Sequence, residues 1–256
     1  MKSRHIVAGS GGFVQVPGLW GVLRPGEIFF EALRRSGKDR PRVCLVMTAS
    51  GDNPSYLASM HAALADASCD VDHLTLFTQP NRPVPEAIGR ADVVWVGGGS
   101  VANLLALWKL HGLDEAIRDA WEQGTVLAGV SAGSICWHVG GPTDSFGSEL
   151  RPVTNALGLL PFGNGVHYDS EEQRRPLLQR LVGEQVLPTS FATDDHVAIC
   201  YEGTDPVAVV SDQPVGSDGP AAYLVERSGD EVSEIRLPVG PIDAGLLVRQ
   251  SIVNNR

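Results

Sequence analysis

No apolar run in this sequence approaches the ~18 residues a membrane-spanning helix needs. The opening stretch, MKSRHIVAGSGG, holds an apolar run of only three. A secretory signal needs roughly 7–15, so neither a leader nor a membrane partner is expected. Cysteine is scarce, and Cys44, Cys69, Cys136 and Cys200 lack the paired spacing of a metal site. Cys44 and Cys200 lie inside apolar, strand-like runs, where a thiol behaves as a small hydrophobe. A reduced, cytoplasmic protein without disulfides is the expectation. Positive charge is short as well: 20 Lys and Arg against 30 Asp and Glu leave a formal net charge of −10. A nucleic-acid surface needs clustered Lys and Arg, so no nucleic acid is expected as partner. Internal repeats and low-complexity tracts are missing too. The Gly97–Gly99 run is followed neither by the rest of a G-x-G-x-x-G pattern nor by Lys-Ser/Thr, which weakens a phosphate-binding reading.

The chain does hold a regular alternation of short apolar runs and helical patterns over 256 residues, 43% of them hydrophobic. That length suits one large domain or two small ones. HIVAG (5–9), VCLVMTAS (43–50), VDHLTLF (71–77), DVVWVGGG (92–99) and VLAGV (126–130) read as strands. Helical patterns fall at 27–37, 52–67, 85–91, 101–112 and 113–124. Gly37, Gly112 and Gly124 are natural stops, and the 52–67 segment opens with an Asp/Asn cap and an early proline. Continuous apolar strands alternating with helices predict a parallel sheet covered on both faces. Ligands of such sheets sit at the carboxyl ends of the strands, so Gly97–Gly99 and Ser131 should share one rim. Residues 140–170 are rich in Gly and Pro and poor in pattern, as functional loops often are. From about residue 200 the texture becomes short runs between turn residues (DPVAVVSD, AAYLVERSGD, EVSEIRLP), which read as antiparallel strands.

The segment GVSAG (129–133) has the G-x-S-x-G form of a nucleophile elbow between a strand and a helical run, AGSICWH. A serine hydroxyl needs exposure, a base and oxyanion donors to act as a nucleophile. Small residues on both sides of a sharp turn supply the exposure. The backbone N–H of Ala132, at a helix start, points where negative charge would develop. Glycine backbone at Gly98 or Gly99 would complete an oxyanion hole. A simple tight turn is the competing reading. Among seven histidines, His5 suits a structural role, and His61, His73 and His111 lie within or at the ends of elements. His138 would lie two helical turns from Ser131, ~10 Å along the axis, and His196 precedes a strand. His167 follows the irregular loop and is the best base. Asp144, Glu149, Asp169, Asp194 and Asp195 all satisfy the spacing for an orienting acid.

The motifs VWVGGG, NLL, GLDEAIRDAWEQGTVLAGVSAGSICW, GLLPFGNGVHYD and FATDDHVAIC, in that order, resemble the peptidase E family. These are serine peptidases of family S51, clan PC, related in fold to class I glutamine amidotransferases. The similarity spans about residues 5–210. It implies an α/β, flavodoxin-like fold, mostly parallel and helix-covered, with short antiparallel strands toward the C-terminus. One domain over 1–256 is expected, with a β-rich extension over about 206–256. The resemblance implies a Ser–His–acid triad in which the serine falls on Ser131. The histidine falls on His167, preceded by Val166 where the family has proline. The acid falls on Asp195, where the family usually has glutamate. Because aspartate is one methylene shorter, Asp194 and Asp144 stay as alternatives, and Asp144 matches a downstream Ser/Thr-Asp element. The oxyanion hole would use Gly98 or Gly99 and Ala132, with Ser100 where the family often has asparagine. Aspartate-selective dipeptidases carry an arginine just before Glu-Gln-Arg. Here that residue is Glu171, which would repel a substrate carboxylate. Arg174 or Arg175 could replace the arginine, although a solvated helix face is the plainer reading for both. Tyr168 is a further substrate-contact candidate. The implied function is a dipeptidase or exopeptidase acting through an acyl-enzyme, with a short peptide substrate, no metal or cofactor, and a homodimer as the only protein partner considered. Two alternatives stand beside it: a cyanophycinase-like hydrolase of β-aspartyl-arginine, and a non-catalytic amidotransferase-like binding domain. A glutamine amidotransferase proper would need cysteine at Ser131.

Overall fold

The computed structural model describes residues 3–214, 216 and 219–243. Residues 244–256 of the expected C-terminal extension lie outside them. Strand β1 (His5–Gly9) leads through a ribbon of β2 (Phe13–Gln15) and β3 (Leu23–Pro25) into α1 (Glu27–Arg35). There follow β4 (Arg42–Val46), α2 (Pro54–Ala63), β5 (Asp70–Leu74), α3 (Val84–Gly89) and β6 (Val93–Val96). Next come α4 (Val101–His111), α5 (Leu113–Glu122), β7 (Val126–Val130) and α6 (Ala132–Ile135). The 140–170 stretch contains β8 (Gly141–Thr143), β9 (Arg151–Val153) and β10 (Gly163–Gly165). Helix α7 (Arg174–Gly183) and β11 (Ser190–Thr193) precede β12 (Val197–Glu202) and β13 (Asp205–Ser211). The described chain ends with β14 (Ala222–Ser228), β15 (Glu231–Leu237) and β16 (Gly240–Pro241).

The main sheet runs β16-β13-β12-β1-β7-β6-β4-β5. From β5 to β1 all neighbours are parallel, whereas β12, β13 and β16 continue the sheet antiparallel. With β4 counted first, the order is the flavodoxin-like 2-1-3-4-5, its last place filled by the N-terminal β1. Side chains in each parallel strand alternate between two apolar layers. Ile6, Cys44, Val46, Val94, Val96 and Leu127 pack on one face; Val7, Val43, Leu45, Val93, Trp95 and Ala128 pack on the other. This two-sided burial is why the strands read as continuous apolar runs. All four cysteines are buried and unpaired. No helix among the described residues is long and apolar enough to cross a membrane.

Local chemistry sets the helix ends. Asn53 caps α2 by accepting from the N–H groups of Ser55 and Tyr56, with Pro54 in the first turn. Gly112, at φ 68°, closes α4 in the left-handed region where glycine is at ease. A second sheet, β10-β11-β14-β15, packs against α7 through Tyr168, Leu177, Leu178, Leu181 and Val225. The late antiparallel strands therefore divide, β13 extending the main sheet and β14–β15 joining the second.

The sequence expectation for His138 does not hold. Helix α6 ends after four residues, so His138 is not on the helix that follows Ser131. It is fully buried. Its Nδ1–H donates to the Ser134 carbonyl at 2.9 Å, which leaves Nε2 to accept from the Tyr201 hydroxyl at 3.4 Å. Burial lowers this imidazole to about 4. An unfolded chain takes the proton near pH 6.5, while the folded protein refuses it until about 4. Stability is then full above the upper value and falls as pH drops through the window. From about pH 7 to about pH 4.5 the His138 share of that loss should be roughly 2–3 kcal/mol. Urea midpoints across this range should fall less steeply for His138→Gln than for the parent; equal slopes would contradict the assignment.

Candidate active site

Strand β7 delivers Ser131 to the carboxyl edge of the sheet with φ 59° and ψ −115°. Such backbone in a non-glycine residue costs about 1–3 kcal/mol and persists only where its surroundings enforce it. Here Ser131 N–H donates to the Gly9 carbonyl at 2.9 Å, and the Ser131 carbonyl accepts from Ser134 and Ile135. Close packing behind the turn demands glycine. A Cβ at Gly129 would collide with the Gly133 carbonyl, and one at Gly133 with the Val96 carbonyl. The spacing of GVSAG is thus a packing requirement as well as a chemical one.

His167 follows β10 at φ 53°. Its Nδ1–H donates to Asp195 Oδ1 at 2.5 Å. Asp195 sits in the tight turn between β11 and β12, where His196 N–H bonds the Ser10 carbonyl and Val197 N–H the Asp194 carbonyl. Asp195 N–H in turn donates to Asp169 Oδ1 at 2.8 Å. The shorter aspartate side chain reaches the imidazole because this turn carries it there. Burial pushes the Asp195 carboxyl upward, but hydrogen bonds from His167 and Ser170 and the nearby imidazole charges outweigh that. The group is held below the usual carboxylate range. With Nδ1 donating, Nε2 is the nitrogen free to accept a proton. Among the described residues no hydrogen bond joins Ser131 Oγ to the imidazole; such bonds are often long or open before substrate arrives.

Gly98 lies beside Ser131, where an added Cβ would stand 3.2 Å from Ser131 Cβ and 3.7 Å from Oγ. The flanking Gly97 and Ser100 spend their N–H groups on the Val46 and Ala49 carbonyls. Among the described residues the N–H groups of Gly98 and Gly99 have no such backbone partner, nor has that of Ala132, in the first turn of α6. Asp144 is exposed after β8. It lines the cavity at Ser131, about 350 Å³ in volume, and the imidazole pairs with Asp195 instead. Asp194 points elsewhere: its Oδ2 accepts from Ala221 N–H and the Tyr223 hydroxyl, and burial raises its carboxyl. Arg174 does not lie on a solvated helix face. Its side chain is 3% exposed, with Nε on Glu171 Oε2 at 2.7 Å and Nη1 on the Pro142 carbonyl at 2.6 Å. Tyr168 is not among the walls of the cavity at Ser131; its hydroxyl donates to Glu234 and its ring lies under the Arg175 guanidinium. A larger cavity, about 780 Å³, lies between α4, α5 and residues 146–157, and Ser131 is not among its walls.

Sequence reasoning missed Ser10. Its hydroxyl accepts from His167 N–H at 2.9 Å and bonds Thr193 Oγ1 at 2.7 Å, and its own backbone pairs with Val197 and His196. The available signal was a small polar residue between glycines at the end of the first strand.

A parallel sheet with a strained strand–serine–helix turn at its carboxyl edge is the framework of hydrolases that use a serine nucleophile. Comparison with known proteins narrows that class. The model for peptidase family S51 matches residues 27–208. A Bacillus subtilis protein named Uncharacterized peptidase YgaJ is 37% identical over 238 residues, covering 91% of this chain and 96% of that one. Peptidase E of Streptomyces coelicolor is 33% identical over 131 residues, covering 50% of this chain and 51% of its own. The crystal structure of a peptidase from an acI-B1 Actinobacterium superposes with a TM-score of 0.67 at 15% identity, over 93% of this chain and 96% of that one, and shares the fold. The chain belongs to peptidase family S51, and it is a serine-type peptidase.

Ser10→Ala should lower stability by about 1–3 kcal/mol through the bonds it removes. It should also lower kcat more than it raises KM, because the His167 backbone loses its anchor. A variant that unfolds earlier yet keeps the parental kcat would make Ser10 purely structural.

Proposed function

We propose that the protein hydrolyses short peptides from an end, with Ser131, His167 and Asp195 acting as a triad. Ser131 Oγ attacks the scissile carbonyl while His167 Nε2 takes its proton. The imidazole then returns that proton to the leaving amine, and an acyl-enzyme on Ser131 remains. Water attacks the acyl carbonyl and loses a proton to His167, which passes it to Ser131 Oγ as the ester bond breaks and the acid product leaves. Asp195 holds the imidazole with Nδ1 protonated and stabilises its charged form. The N–H groups of Ala132 and of Gly98 or Gly99 receive the oxyanion. The observation that carries this reading is the 2.5 Å bond between His167 Nδ1 and Asp195 Oδ1, with the His167 N–H held by Ser10, next to the Gly9 carbonyl that holds the strained Ser131. The cavity at Ser131, about 350 Å³, has room for a substrate of few residues.

Labelling with a fluorophosphonate, followed by intact mass and peptide mapping, tests the nucleophile. A stoichiometric adduct on Ser131 is expected in the parent and none in His167→Ala. Asp195→Asn should reduce kcat by about 10²–10⁴. A larger kcat loss from Asp144→Asn would move the orienting role to Asp144. Failure of the folded parent to react at Ser131 would remove the serine-nucleophile reading of this site.

A further inference from the structure

The cavity at Ser131 does not end there. A second cavity, about 640 Å³, adjoins it and opens outward past Leu150, Glu172 and Gln173. Asp144 and Glu171 line both cavities and form their common wall. Three carboxylates, Asp144, Glu171 and Glu172, therefore border this groove, against one guanidinium, Arg174.

That guanidinium is engaged. Arg174 is buried, with Nε on Glu171 and Nη1 on the Pro142 carbonyl. Glu171 and Arg174 cancel each other, and Asp144 and Glu172 remain. Among the described residues no side chain pairs with the Asp144 carboxylate. Clefts lined by one sign of charge concentrate ligands of the other sign, and the net charge of −10 reinforces this field. An acidic substrate side chain would meet two uncompensated carboxylates before reaching any free cation.

We propose that this groove selects peptides carrying lysine or arginine beside the bond cut at Ser131, with Asp144 as the specificity-determining residue. The inference rests on the peptidase reading above. A long basic side chain suits the geometry because Asp144 stands where the inner cavity meets the outer one. Its aliphatic stem would lie along the inner cavity, and its charged head would reach the acidic wall. An α-ammonium group close to the reacting carbonyl has no such reach.

Replacing arginine by its neutral isostere citrulline isolates the charge. Dipeptides with arginine or citrulline, placed first or second and paired with alanine, would be compared with aspartate dipeptides at low ionic strength. In one of the two placements kcat/KM should favour arginine over citrulline by about tenfold or more, and the ratio should shrink in high salt. Asp144→Asn should bring the ratio toward one, mainly through KM. Asp144→Arg should shift preference toward aspartate dipeptides. Calorimetric binding of the same peptides to Ser131→Ala separates recognition from catalysis. Parental cleavage with no arginine preference in turnover or binding, or with a preference for acidic peptides, overturns the groove inference and leaves the peptidase reading intact. Tighter binding of arginine than citrulline to Ser131→Ala, with no peptide cleaved by the parent, upholds the groove and overturns the dipeptide-hydrolysis reading.

Discussion

The geometry of the site hangs on two residues at the end of β1, a strand held in the middle of the sheet between β7 and β12. The Gly9 carbonyl takes the Ser131 N–H, and the Ser10 hydroxyl takes the His167 N–H. The Ser10 carbonyl takes the N–H of His196, next to Asp195. Ser131, His167 and Asp195, the proposed nucleophile, base and acid, come from three separate loops, yet each loop is bonded to this dipeptide. A buried hydroxyl that satisfies several backbone and side-chain partners rigidifies the groups it joins. The chain leaving Ser10 is held as well. Asp212 accepts the N–H groups of Gly12 and Ile28, at 2.5 and 2.9 Å, fixing the approach to α1. Beneath this loop, Phe13, Phe29 and Trp95 pack with ring centroids 5.0–5.4 Å apart.

Neighbouring carboxylates in this frame are separated by environment. Asp194 and Asp195 are adjacent in sequence and face opposite ways out of one tight turn. The first is buried against Ala221 and Tyr223, and burial raises its carboxyl. The second is lowered by its bonds to His167 and Ser170 despite partial burial. Only the second is held ionised against an imidazole, the condition an orienting acid must meet. The same sorting occurs across the groove. Glu171 is tied to a buried arginine, whereas Asp144, on the same wall, stays open to whatever enters.

Much of the architecture was legible because its signals are local. Apolar runs bounded by glycine marked the parallel strands, the Asn53-Pro54 pair marked the start of α2, and GVSAG marked the elbow through the small residues its packing demands. His167 was legible as a residue at an element boundary with no packing role. The extent of the helix after Ser131 was not, because α6 ends where Cys136, Trp137 and His138 turn into the core. Nor was the fate of Arg174, whose charge pattern along α7 is that of a surface face until the β8 carbonyl of Pro142 is brought beside it.

By itself the sequence determined the parallel strands and the helices between them, where the chain makes its sharp turn at Ser131, and that the sheet is covered on both faces. Periodicity, caps and glycine act over a few residues and leave their mark in order along the chain. Only the tertiary structure decided which acid meets His167, that Ser10 anchors the loop behind it, and that Arg174 is spent on Glu171. Those outcomes depend on contacts between residues far apart in sequence: Ser10 and His167 are 157 positions apart, and His167 and Asp195 are 28. Such pairs are set by the packing of sheet and loops, which no local pattern encodes.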